Sequence, residues 1–167
     1  MVELTTKEKE IWKILDTVTD PEVPVLSIID LGIVRNVEIE ASNKIKITIT
    51  PTYTGCPAMD VININIRLAL IENGFTNVEI KTVLSPAWTT DWMSEAGKKK
   101  LKAYGIAPPN PKQIVCTTDV FQEEEAVQCP HCNSYNTQLI SRFGSTACKA
   151  LYKCNDCHEP FDYFKCH

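Results

Sequence analysis

The chain has 167 residues, 44% of them hydrophobic and 23% charged, with a formal net charge of −4. This is ordinary globular composition, with room for one domain and a small appendage. The acidic balance argues against a general nucleic-acid binder, which needs a basic face, and no stretch reaches the ~18 apolar residues of a membrane span.

Eight cysteines are present, and the N-terminus lacks the basic-then-apolar run of a secretory signal. Together these predict a cytoplasmic protein whose thiols serve metal or redox chemistry rather than disulfides.

Thr5 to about Val18 reads as an amphipathic helix. Thr5 and Glu8 make a capping box, and Ile11, Trp12, Ile14, Leu15 and Val18 form the apolar face. Pro21 stops it by Asp20. Residues 20–34 carry two prolines yet are too apolar for a solvated loop, so they should lie over the core. Asp20, Glu22 and Asp30 punctuate this segment; they could bind a cation or activate a water, or serve as turn and cap residues.

Val34 to Glu40 and Lys44 to Thr50 alternate in polarity and read as an antiparallel hairpin turned by Ala41-Ser42-Asn43. Ile45, Ile47 and Ile49 share the buried face. Thr50-Pro51-Thr52-Tyr53-Thr54-Gly55-Cys56-Pro57 then hands the strand to a long apolar helix, Ala58 to Asn73, stopped by Gly74. Its apolar residues, Val61 to Ile71, read as a wide stripe covering the sheet. Pro57 suits a helix start. A thiol at Cys56 therefore faces unpaired N–H groups and the positive end of the helix dipole, which favour the thiolate; the alternative is simple packing.

Asn77 to Leu84 reads as a third strand. Thr90 is positioned to cap a helix from Asp91 to Tyr104, flanked by Trp88 and Trp92 and ended by Gly105. Its lysines, Lys98-Lys99-Lys100 and Lys102, read as a solvated face. Pro108, Pro109 and Pro111 make a stiff spacer. The expected organisation is an α/β domain over 1–105, a linker over 106–128 and a separate small domain over 129–167.

Cys129-Pro130-His131-Cys132 and Cys154-Asn155-Asp156-Cys157 lie in that last segment. Each CxxC forms a turn presenting two thiolates, and two turns complete a tetrahedral site. A domain this small needs such a staple. This is a zinc-ribbon pattern, with Cys129, Cys132, Cys154 and Cys157 as ligands of a structural zinc; iron is an alternative at four thiolates. A redox dithiol matches Cys129 to Cys132, but such pairs open a helix, whereas Asn133-Ser134 reads as a turn; c-type haem attachment matches Cys154 to His158, but the chain lacks an export signal and the pair already has a partner. His131, His158 and His167 are surplus to the site. Cys116, Cys148 and Cys166 have no assigned role. The ribbon's four basic residues (Arg142, Lys149, Lys153, Lys165) against three acids (Asp156, Glu159, Asp162) are too few for phosphate-driven binding.

The fold class expected is α+β: a small α/β domain with a mixed three-stranded sheet covered by helices, followed by a C-terminal zinc ribbon. Asp20-Pro21-Glu22, Asp30-Leu31-Gly32 and Thr52-Tyr53-Thr54-Gly55-Cys56-Pro57 resemble the iron–sulfur cluster assembly (metal–sulfur cluster biosynthesis) family over about residues 8–84. With Pro86-Ala87-Trp88-Thr89-Thr90-Asp91-Trp92 and the ribbon segment 143–152, the chain resembles the PaaD (PaaJ) accessory-subunit family of bacterial phenylacetyl-CoA epoxidase.

The resemblance implies a non-catalytic role in phenylacetate catabolism, maturing or inserting iron–sulfur or di-iron centres. Cys56 would be the functional thiol for a transient iron–sulfur cluster or iron, aided by Asp20, Glu22 or Asp30. The implied partners are the epoxidase subunits, including the di-iron oxygenase and the iron–sulfur flavin reductase, with a homo-oligomer also allowed. A stoichiometric structural or regulatory subunit is the alternative reading. The chain itself has no Glu-x-x-His pair for a di-iron bundle and no Gly-rich dinucleotide loop.

Overall fold

The computed structural model describes residues 5–109 and 127–165. Cys116, Cys166, His167 and most of the expected linker lie outside the described residues. The chain divides into two compact units, one within Met1–Trp88 and Trp92–Gly97, the other within Thr89–Asp91 and Lys98–His167.

In the first unit, helix α1 (Thr6–Leu15) opens on the expected capping box: Glu8 N–H donates to Thr5 Oγ1, and Thr5 N–H to Glu8 Oε2. It ends three residues short of Val18, where Thr17 and Val18 N–H fall back on the carbonyls of Ile14 and Leu15. Strands β1 (Val34–Ile39) and β2 (Ile45–Ile49) form the antiparallel hairpin, with Asn43 in its turn at φ 60°. Helix α2 (Ala58–Glu72) is the crossover that lets β3 (Val78–Thr82) run parallel to β2. The sheet order is β1-β2-β3.

Ile45, Ile47 and Ile49 are all buried. Segment 20–34 does lie over the core: Val23, Leu26, Ile28, Leu31 and Ile33 are each almost fully buried.

Three details differ from the sequence reading. β3 stops at Thr82, leaving Leu84 exposed. The apolar residues of α2 do not all cover the sheet. Ala58, Met59, Ile62, Ile66 and Leu70 are buried, whereas Val61, Ile64, Leu68 and Ile71 face solvent, because 3.6 residues per turn cannot place both sets on one side. The third helix does not start at Asp91. Thr90–Trp92 is a single 3-10 turn, and α3 (Glu95–Tyr104) begins after Ser94, whose hydroxyl accepts from Gly97 N–H.

Ser94 is held because Asp30-Leu31-Gly32 receives this segment. Trp88 Nε1 donates to the Leu31 carbonyl at 2.8 Å, and Ser94 N–H to the Asp30 carbonyl at 2.8 Å. Gly32, at φ +67°, lies so close to Trp92 that an added Cβ would meet its carbonyl oxygen at 2.3 Å. Trp88 is buried, and the Arg35 guanidinium stacks 3.4 Å above the Trp92 ring.

The second unit contains a four-stranded sheet in the order β4-β7-β6-β5, built from β4 (Ile106–Ala107), β5 (Thr137–Ser141), β6 (Lys149–Cys154) and β7 (Pro160–Phe164). Ile106 and Ala107, the first residues of the linker expected over 106–128, pair in parallel with β7. Tyr152 stacks on Phe161 at 5.9 Å and meets Tyr163 edge-on at 5.7 Å, with Cys129 and Cys154 buried in the same cluster. No helix among the described residues is long and apolar enough to cross a membrane.

Candidate functional site

The two CxxC turns are built alike. In each, the first cysteine's N–H donates to a carbonyl five residues on: Cys129 to Ser134 at 2.8 Å, Cys154 to Glu159 at 3.0 Å. In each, the residue four positions after that cysteine takes a left-handed conformation, Asn133 at φ 64° and His158 at φ 66°. The turns are tied together by Asp156, whose carboxylate accepts from Ser134 Oγ and from Asn136 Nδ2, and by Asn155 N–H on the Asn136 carbonyl.

The four sulfurs thereby converge within 4.8 Å of one another. Cys129 and Cys157 are 3.8 Å apart, Cys132 and Cys154 3.5 Å. Tetrahedral metal–sulfur bonds of about 2.3 Å require sulfurs about 3.8 Å apart, so the donor set fits one ion.

Its electrostatics point the same way. Backbone N–H groups of Cys157 and then Asp156 aim at the Cys154 sulfur and lower its pKa to about 7. The Glu159 N–H likewise favours the Cys157 thiolate, but burial and the three neighbouring sulfurs outweigh it and push that thiol up to about 12. Four thiols this close cannot all ionise unless a cation offsets their mutual repulsion.

Cys56 is placed differently. Its N–H closes a turn onto the Tyr53 carbonyl, and its own carbonyl accepts from Met59 N–H, both at 3.3 Å. Pro57 occupies the N-cap of α2 with no side-chain cap bond. Gly55 precedes it at φ +81° with open space around it. The Cys56 side chain is half-buried; the other described cysteine outside the ribbon cluster, Cys148, is buried.

The three carboxylates and Cys56 do not gather into a metal-sized group. Among the described residues, the ribbon cysteines alone form a cluster of three or more such donors. Asp20 Oδ1 accepts from the N–H groups of Glu22 at 2.7 Å and Val23 at 2.8 Å, which pins the turn at Pro21. Glu22 lies half-buried on that turn. Asp30, 5% exposed, accepts from Ser94 Oγ at 2.7 Å and Ser27 N–H at 3.3 Å, and its own N–H donates to Ser27 Oγ.

Sequence reasoning passed over Ser27, Ser94, Ser134 and Asn136, the partners that hold these carboxylates. For Ser134 and Asn136 a signal existed, since polar residues just after a metal turn commonly tie off its backbone; for Ser94, 64 residues from its partner, none did.

Known proteins resemble both parts of the chain. Residues 8–81 match the family model described as "Iron-sulfur cluster assembly protein", and residues 114–165 the one described as "PaaD zinc beta ribbon domain". The chain is 52% identical over 157 residues to an Escherichia coli protein named as a subunit of "Putative 1,2-phenylacetyl-CoA epoxidase", covering 94% of this chain and 92% of that one. It is 36% identical to the Fe-S protein maturation auxiliary factor of Porphyromonas gingivalis, covering 59% of this chain and 94% of the relative. A crystal structure from Bacillus anthracis of a domain of unknown function, DUF59, superposes with a TM-score of 0.53 at 31% identity, covering 56% of this chain and 90% of that one. With near-complete coverage at 52% identity, and the assembly domain and ribbon joined in one chain, the protein belongs to the PaaD family of phenylacetyl-CoA epoxidase subunits.

Proposed function

We propose that this chain is a non-catalytic, cytoplasmic accessory factor of phenylacetyl-CoA epoxidase, and that it delivers iron or an iron–sulfur cluster to the epoxidase subunits. The observation that carries this reading is the division of the thiols. Four close on one another in the ribbon, while Cys56, which belongs to no such cluster, is half-buried at the head of α2 in the assembly-family domain.

Cys56 serves as the cargo ligand. The cargo passes by ligand exchange: an acceptor thiolate or carboxylate takes the metal from the Cys56 sulfur, which recovers a proton, and no electrons move. Asp20 and Asp30 act by fixing the 20–34 segment, since their oxygens are engaged by its backbone and by Ser94; Glu22 rides on the same turn. The ribbon holds zinc through Cys129, Cys132, Cys154 and Cys157; that ion has no redox chemistry and supplies structure alone. The ribbon's surface would meet the epoxidase subunits.

The test is reconstitution of metal-free epoxidase subunits, the di-iron oxygenase and the iron–sulfur reductase separately, with wild type and Cys56→Ser. Wild type is expected to raise iron and sulfide loading of one of them, and Cys56→Ser to lose that gain while keeping its ribbon zinc. Equal loading by both proteins would overturn the reading. The word "subunit" in the name of the Escherichia coli relative favours a second reading, a stoichiometric regulatory component. Co-purification at a fixed ratio with activity indifferent to Cys56 would establish that instead.

A further inference from the structure

Helix α2 carries a second apolar face. Val61, Ile64, Leu68 and Ile71 are 44%, 57%, 51% and 50% exposed, and exposed Pro57 precedes them on the same side. Single exposed aliphatics are ordinary on any surface, but a contiguous row is not. The successive spacings of this row are four, three, four and three residues. That is the heptad rhythm by which one helix seats against another. No polar side chain interrupts it.

We propose that this face docks on the same face of a second copy of the chain, with the two α2 helices parallel. The flanking charges select both the occupant and the direction. Asp60 and Arg67 border one side of the row, Asn65 and Glu72 the other. In a parallel pair a residue on the first side faces the residue five positions on in the other helix, so Arg67 of each copy meets Glu72 of the other, twice over. An antiparallel pair that seats all four aliphatic side chains, centred on Val61–Ile71, sets Arg67 beside Arg67. Arg67 Nη1 donates to the Val78 carbonyl at 3.0 Å, and the guanidinium keeps further N–H groups for a carboxylate. Glu72 is exposed.

The extent of the face sets the strength. A row of this kind amounts to a few hundred Å², below the ~800 Å² per partner of a stable complex. The dimer is therefore weak and concentration-dependent, as suits a protein that must release its cargo. The parallel register also places both Cys56–Pro57 turns at the same end of the helix pair, where each copy adds one thiol. That consequence rests on the function proposed above; the docking does not. It answers a deficit in the single chain, because a cluster takes about four protein ligands, and Cys56 belongs to no group of metal donors among the described residues.

The test uses the full chain with its ribbon zinc. Sedimentation over a wide concentration range is expected to show a monomer–dimer equilibrium, shifted at least tenfold toward monomer by Leu68→Glu and, as a second variant, by Ile64→Glu. Both side chains already face solvent, and far-UV circular dichroism with zinc content verifies folding. Arg67→Glu should weaken the dimer, and Arg67→Glu with Glu72→Arg should restore it. Diamide, which takes two electrons and two protons from a pair of thiols, should trap a Cys56–Cys56 disulfide in wild type and none in Leu68→Glu or Cys56→Ser.

A monomer at every concentration overturns the proposal, as does a dimer indifferent to both glutamate variants, or a dimer unrestored by the charge swap. A protein that stays monomeric yet matures its client through Cys56 would refute the docking alone. A dimer whose Cys56→Ser variant still matures its client would refute the functional reading alone.

Discussion

Replacing Gly32 by alanine tests how the Asp30-Leu31-Gly32 turn receives the tryptophan segment. Gly32 is at φ +67°, and a Cβ there would sit 2.3 Å from the Trp92 carbonyl oxygen and 2.8 Å from its carbonyl carbon and its Cβ. The left-handed conformation costs a non-glycine residue about 1–2 kcal/mol. Pushing the Trp92 backbone aside costs on the order of 1–3 kcal/mol more, as overpacking does elsewhere. Gly55 is the control: its φ is +81°, but nothing lies within 4 Å of an added Cβ, so Gly55→Ala incurs only the first cost. For a unit of under 100 residues each kcal/mol lowers Tm by about 4–8 °C. Gly32→Ala should therefore lower the first unit's Tm by about 10 °C or more, and Gly55→Ala by roughly half as much, in thermal unfolding followed by far-UV circular dichroism on the full chain. Equal losses for the two variants would mean that the close approach to Trp92 contributes nothing.

Asp30→Ala removes the acceptor of Ser94 Oγ and Ser27 N–H, and a buried donor left unpaired costs about 1–3 kcal/mol; urea unfolding should show a loss of about 2–6 kcal/mol, and one below 1 kcal/mol would make that network decorative. Chelation of the ribbon metal, whose binding in comparable small sites supplies about 10–16 kcal/mol, should abolish the near-ultraviolet dichroism of Tyr152, Phe161 and Tyr163, and zinc should restore it. Cys129→Ser should mimic chelation, and a ribbon that keeps its aromatic signal in strong chelator would refute a metal-held core. The Asp156 carboxyl is held below its usual range, first by Ser134 and then by Asn136. Its contribution is therefore present above the unfolded value of about 3.9 and lost as pH falls through the lower folded one. The Tm difference between wild type and Asp156→Asn should narrow as pH drops from 5 toward 2, and a difference constant with pH would refute the assignment.

The local rules recovered most of the fold because most of its elements are locally encoded. The capping box at Thr5, the alternating isoleucines of β2 and the two CxxC turns each need only a few neighbouring residues to declare themselves. The start of α3 did not. Thr90 and Ser94 are both acceptable caps, and the choice between them is made by Asp30, which binds the Ser94 hydroxyl and lies 2.9 Å, at its Cβ, from where a Gly97 side chain would begin. No window of sequence contains both partners. The same holds for Trp88, whose indole N–H is satisfied by a carbonyl 57 residues away.

The two thiol sites differ in legibility for a physical reason. A tetrathiolate site is a property of paired turns, so its chemistry is written in spacing: first cysteine, second cysteine, then a left-handed residue four positions after the first, twice over. A lone thiol at a helix start has no such signature, because its use depends on what else reaches it. The carboxylates nearest in motif, Asp20 and Asp30, are engaged by backbone and serine donors, and among the described residues no group of metal donors includes Cys56. The apolar residues of α2 were legible as hydrophobic and illegible as two faces. Ile62, Ile66 and Leu70 cover the sheet, while Val61, Ile64, Leu68 and Ile71 begin one turn from the thiol and lead away from it along the outside. A chain that needed α2 only as a crossover would fill those outer positions with charge, as it does at exposed Lys99, Lys100 and Lys102 of α3. This chain fills them with aliphatic residues instead, along the helix that begins at the Cys56 turn.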